Sequence, residues 1–145
     1  MLMSTEWNPP PPLSPSDERT WAMLAHLSVL LNLVTGMLGP VAALVIYLVF
    51  KDRSRYVAYQ SLQSLIFQLI TWVGGGVLIG VTAAVAGILT VVLVGFLLFP
   101  LVALLALIPL AGLVYGVIGG IQCSQGQDFR YWLVGDWVRG TLTGA

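Results

Sequence analysis

An all-α integral membrane protein with four transmembrane helices is the fold class the sequence predicts, and three observations predict it. The 145-residue chain is 58% apolar and 8% charged, against about 45–50% and about 25% in ordinary soluble domains. Residues 20–50 and 56–127 contain no Asp, Glu, Lys or Arg. The charges that do occur gather in the segments flanking these two runs, where a bilayer-spanning chain meets water. A soluble globule, a nucleic-acid binder and a disordered chain are all excluded by such runs. At about 20 residues per crossing, the two runs leave no room for a separate soluble domain.

Residues 1–16 read as a disordered proline-rich tail, in which Pro9–Pro12 and Pro15 favour extended polyproline II. They are not a signal peptide, since Glu6 stands where a basic segment and an apolar core belong. The lone Cys123 makes no internal disulfide. The transmembrane domain is expected over residues 17–122. Ser16 or Asp17 is expected to cap a first helix over about 18–34, with acidic residues in its first turn as the macrodipole prefers. Thr35-Gly36 and Gly39-Pro40 then turn the chain into a short second helix, about 40–50. The hydrophilic loop Lys51–Arg55 ends that hairpin.

The long run that follows divides in two ways. Two long helices over about 56–83 and 90–122 give four in all, whereas breaks at Gly74–Gly76 and Pro100 give five. With four, Arg19, Lys51, Arg53, Arg55, Arg130 and Arg139 all lie on one side. With five, Arg130 and Arg139 cross over. The positive-inside rule favours four helices with both termini cytoplasmic, in the cell membrane. Kinks are then expected near Pro100 and Pro109.

Four groups of residues are candidates for a function. Gln60, Ser64, Gln68 and Thr71 fall on one face of the third helix, with Gln63 at its edge. Such side chains inside a bilayer call either for interhelical hydrogen bonds or for a polar groove. His26, with Asn32 nearby, is with Tyr47 the only titratable side chain between Arg19 and Lys51 and extends that polar set. It can bond across the bundle, handle protons, or ligate a haem or chlorophyll; the first needs no cofactor, and none is predicted. Gly76, Gly80 and Ala84 on the third helix and Gly112, Gly116 and Gly120 on the fourth repeat every four residues, a spacing that lets helix backbones approach closely. The third and fourth helices are expected to cross there, or one of them to contact another subunit. In the tail, residues 123–145, Phe129, Arg130, Tyr131, Trp132, Trp137 and Arg139 mix aromatic and basic side chains as an interfacial anchor does.

No metal-ligand set, phosphate loop or Ser/His/Asp arrangement is present in the sequence, which argues against an enzyme and against nucleotide binding. The expected role is an accessory or assembly subunit that meets the bilayer and other membrane subunits or a second copy of itself. The alternatives are a translocation or solute path lined by the polar face of the third helix, and pigment binding through His26.

The order Glu18-Arg19, Ala25–Ser28, Gly39-Pro40, Lys51-Asp52, Tyr56-Val57, Gln63–Leu65, Phe67-Gln68 and Gly126–Tyr131 resembles the Tic-twenty-like family, the chloroplast inner-envelope import component and its small bacterial relatives. That resemblance covers residues 17–138. It implies four membrane helices with both ends cytoplasmic, and signature positions at Glu18, Arg19, His26, Pro40, Lys51, Asp52, Phe67 and Gln68. Ala58-Tyr59 and Trp132 depart from its pattern.

Overall fold

The computed structural model describes residues 10–91 and 94–144, and Val94 by its backbone alone. The first nine residues of the proline-rich tail, two residues at the start of the expected fourth helix and the last residue lie outside the described part.

Ser14 caps the first helix, α1 (residues 15–35): its Oγ accepts the Asp17 N–H at 3.2 Å. Helix formation therefore starts at Pro15, earlier than the expected residue 18, because Pro15 is preorganised for a first helical position. The end of the proline run lies against the bundle instead of hanging free. Leu13 packs beside Trp21, Phe50 and Val57, and the Arg53 Nε–H donates to the Pro11 carbonyl at 3.1 Å. Within α1 the pitch tightens to a 3-10 turn over Ser28–Leu30. Gly36, at φ 81°, ends the helix, and α2 (Leu38–Phe50) runs back.

Ser54 opens α3 (Arg55–Thr90). Its hydroxyl accepts the Val57 N–H at 3.1 Å and donates to Glu18 Oε1 at 2.5 Å, so one side chain caps α3 and joins it to α1. Gly74–Gly76 do not break this helix. The chain takes a π-helical turn over Leu69–Gly74 and continues as α-helix to Thr90, so a break of the long run at the triple glycine does not occur. The reversal lies beyond Thr90, later than the expected residues 84–90. It requires Gly95, whose added Cβ would stand 2.2 Å from the Ala86 carbonyl oxygen and from the Thr90 nitrogen.

The returning helix, α4 (Gly95–Ser124), is irregular around its prolines. A 3-10 segment over Val94–Leu98 precedes Pro100. Ala106 then interrupts the helix three residues ahead of Pro109, which lacks the N–H that would bond residue 105. After Ser124 the tail runs extended beside the bundle, then forms a short amphipathic helix, α5 (Gly135–Thr143), that the sequence did not suggest.

Helix α1 packs on both the first half of α3 and the second half of α4, while α2 packs on α3. These four helices and the tail make a compact head. The second half of α3 and the first half of α4 pack chiefly on each other, as a two-helix arm. All described secondary structure is helical.

Candidate functional site

The head has its polarity turned inside out. His26, Gln60, Ser61, Gln63, Ser64 and Gln68 are 0–1% exposed. On its outside stand Leu33, Val34, Val45, Leu48 and Val49, each 53–88% exposed. Burying neutral polar groups is tolerable only when each is paired, and two connected networks supply the pairs.

The first network joins α1, α3 and the tail. Gln60 Nε2 donates to the Phe129 carbonyl at 3.0 Å and to Asp128 Oδ1 at 3.2 Å, which turns its Oε1 the other way. That oxygen receives Gln63 Nε2 at 2.6 Å and stands 2.9 Å from His26 Nε2. Two acceptors on one side of the amide and a donor on the other fix the pattern. The imidazole carries its proton on Nε2 and accepts at Nδ1 from the Tyr131 hydroxyl, 3.2 Å away. Gln63 closes the ring: its Nε2 donates to the Phe129 carbonyl at 2.6 Å and its Oε1 accepts the Tyr131 N–H at 3.2 Å. The tail backbone is thereby stitched into the bundle.

The second network lies deeper. Gly39 N–H donates to Asn32 Oδ1 at 2.9 Å, and Asn32 Nδ2 donates to Gln68 Oε1 at 3.3 Å. Gln68 Nε2 then reaches the Ser28 and Ser64 hydroxyls at 3.0 and 3.1 Å, and both hydroxyls donate to the Ala25 carbonyl at 2.8 Å. Thr71 bonds its own helix at Phe67 O, 2.8 Å away. From Gln60 to Gln68 the polar face of α3 therefore lies in a closed, bonded interior and not along an open groove.

His26 is no better placed for a pigment. Both ring nitrogens are engaged, Phe129 meets the ring edge-on at 5.0 Å, and a Cβ added at Gly119 would stand 2.7 Å from Nδ1. Neither ring nitrogen is left free to ligate the metal of a macrocycle. Among the described residues, no three His, Cys, Asp or Glu side chains gather where a metal ion would sit.

The glycine ladders part company. Gly116 lies against Val29 and the His26 carbonyl, Gly120 against Leu27 and the Met23 carbonyl, so α4 crosses α1 there. Gly112 meets Thr71 of α3. Gly76 and Gly80 have nothing within 4 Å and Ala84 is exposed, so the expected crossing of the third and fourth helices at these three residues does not occur. The face that α3 turns to α4 carries Gly75 instead, where an added Cβ would meet Ile108 and Pro109. Two glycines that the sequence reading did not single out for packing matter more. Gly119 admits His26 and Phe129, and a Cβ at Gly39 would stand 2.3 Å from Gln68 Oε1.

The tail needs a correction too. Phe129 and Tyr131 are 4% and 1% exposed and do not face headgroups. Tyr131 stacks on Phe67 with centroids 4.0 Å apart, and its burial pushes its hydroxyl well above the ordinary tyrosine value. Arg130, Trp132, Trp137 and Arg139 face outward. Arg130 pairs with Asp136 at 2.7 Å and Arg139 pairs with Asp128. An alternation of period two along Phe129–Trp132 was the sign of this extended, half-buried stretch.

A helical bundle with paired polar groups inside and bare apolar side chains outside has a membrane as its solvent. It is a membrane protein. Residues 17–138 match the model of the magnetosome magnetite crystal formation protein family, MamF_MmsF, and the chain belongs to that family. No curated protein and no solved structure matches it. The family match overturns the resemblance to the Tic-twenty-like family, which rested on the same residues. The residues that suggested it are those any such bundle needs: Glu18 bonds Ser54, Arg19 packs on the Gly126 turn, His26 and Gln68 bond across helices, Pro40 is buried and Phe67 stacks. Lys51 and Asp52 are exposed in the loop. They describe packing and do not discriminate between families.

Proposed function

We propose that this protein is a non-enzymatic subunit of the magnetosome membrane that contributes to magnetite crystal formation through contacts with neighbouring membrane proteins. The family supports the setting. The carrying observation is the direction of its chemistry: His26, Asn32, Gln60, Gln63, Ser64 and Gln68 spend their hydrogen bonds on holding the bundle together. What remains for interaction is the outer surface, with its apolar arm, its outward tryptophans Trp132 and Trp137 and the exposed basic loop. The charge distribution supports four membrane-inserted helices with both termini cytoplasmic. A translocation path or pigment site would need the polar stripe or His26 to be open, and both are closed.

Purification from the native membrane in mild detergent, followed by mass spectrometry of the co-migrating proteins, tests this reading. Stoichiometric membrane partners, or a defined oligomer of this chain, are expected. A bare 15.6 kDa monomer in several detergents contradicts it.

A further inference from the structure

The two helical hairpins differ in reach. The uncharged helical parts of the first hairpin are residues 20–35 of α1 and all of α2, about 24 and 20 Å at 1.5 Å per residue, against a hydrocarbon layer of about 30 Å. The start of α2 is level with Gln68, about 20 Å along α3, because Gly39 touches that residue. The tip of this short hairpin is apolar and bare: Val34, Met37 and Leu38 are 88, 54 and 51% exposed, and residues 20–50 contain no charged group. Such a tip belongs in hydrocarbon, part-way across. Helix α3, at 36 residues, extends about 54 Å and crosses the layer with length to spare. Among the described residues the charged ones gather at the opposite end of the head, where Glu18 bonds Ser54, Arg19 lies against Gly126 and Arg55 bonds the Leu142 carbonyl.

Resting on the membrane reading above, we propose that the molecule is a taper that expands one leaflet more than the other and so favours curved membrane. Four helices and the tail occupy the leaflet next to the charged end, and the two-helix arm alone continues to the outer part of the other. At a helix diameter of about 10 Å, the two additional helices add on the order of 150 Å² of cross-section to the near leaflet. A bilayer relieves that imbalance by bending so that the near leaflet is convex. The partner of the bare arm is lipid: its outer side chains are apolar throughout, and an apolar groove of about 810 Å³ runs from Leu107 past Thr71, Gly112 and Tyr115 to Trp132. An acyl chain fits such a groove, with the exposed tryptophan at its headgroup end.

The test uses the full chain with Cys123→Ser, carrying either Val34→Cys or Val91→Cys, both at exposed positions, reconstituted in vesicles of phosphatidylethanolamine and phosphatidylglycerol. Fluorophores on the two cysteines report depth through quenchers placed along the lipid tails. The Val34 probe is expected at mid-bilayer and the Val91 probe at the far headgroups or beyond. In a mixture of sonicated and large extruded vesicles of this one composition, severalfold more protein per lipid is expected in the small vesicles, with the charged end outward. Both probes at far-headgroup depth overturn the taper, since both hairpins then cross. A deep Val34 probe without a size preference also overturns it, and means that a second copy fills the space beside the arm. Protein that does not float with the vesicles overturns the membrane reading along with the taper.

Discussion

The head and the arm are built from the same two long helices by opposite rules. In the head, α3 contributes Gln60, Gln63, Ser64 and Gln68 to a buried, bonded interior. In the arm, the same helix contributes Val77, Val81 and Ile88 to an exposed surface, and Gly75 and Ala86 are its buried residues. The head is held by directional bonds, which specify one arrangement of helices. The arm is held by close contact between two apolar rods in a medium that gives apolar surfaces no reason to associate. A mutation at a polar or small residue should therefore be costly in one region and nearly silent in the other.

Glycine gives the widest contrast. Gly39→Ala places a methyl group against Gln68, Asn32 and the Ser28 carbonyl, and a loss of about 3 kcal/mol is expected. Gly80→Ala meets nothing within 4 Å and should stabilise the helix by about 0.5–1 kcal/mol. Unfolding in mixed micelles by titrated denaturing detergent measures both. Equal effects would remove the distinction between head and arm.

Polar deletions come next. Gln60→Leu leaves the His26 Nε2–H without an acceptor in a closed interior, a cost of about 2 kcal/mol. Thr82→Val in the arm removes a hydroxyl that bonds its own helix at Leu78 and should change stability little. Tyr131→Phe takes the donor from His26 Nδ1 and should cost about 1 kcal/mol. It also carries a pH signature. Burial raises the folded-state pKa of Tyr131, so its contribution to stability is full below the ordinary value of about 10 and is lost as pH rises above it. Alkaline titration of stability should therefore be steeper in the native protein than in Tyr131→Phe. The smallest effect belongs to Arg130→Ala. Its pair with Asp136 has side chains 55% and 79% exposed, and a salt-sensitive loss of at most about 0.5 kcal/mol is expected from comparing melts at low and high ionic strength.

Much of the head was legible because its signals are periodic. Four polar side chains on one face of an apolar helix, and a histidine in the helix before it, announce a shared polar interior from spacing alone. The arm was legible as apolar helix, but its end was not, because Gly87 within residues 84–90 is carried inside the helix and the reversal depends on Gly95 beyond it. The tail misled for a different reason. Its aromatic and basic composition is that of an interfacial anchor, and only the alternation of Phe129 and Tyr131 against Arg130 and Trp132 separates the inward pair from the outward one. Gly119 was hidden by the more regular ladder beside it. The family itself was not legible in the signature residues, because a bundle of this design needs most of them for packing.

The central claim is that the polar face of α3 is sealed inside the head, away from water and lipid alike. Solid-state NMR of the protein in bilayers tests it most directly, through hydrogen exchange and water-to-amide polarisation transfer at the side-chain NH₂ groups of Gln60, Gln63 and Gln68. Slow exchange and no transfer from water or lipid at all three is the result expected here. Rapid exchange with water at Gln60 and Gln68 would mean an open polar groove and would contradict it.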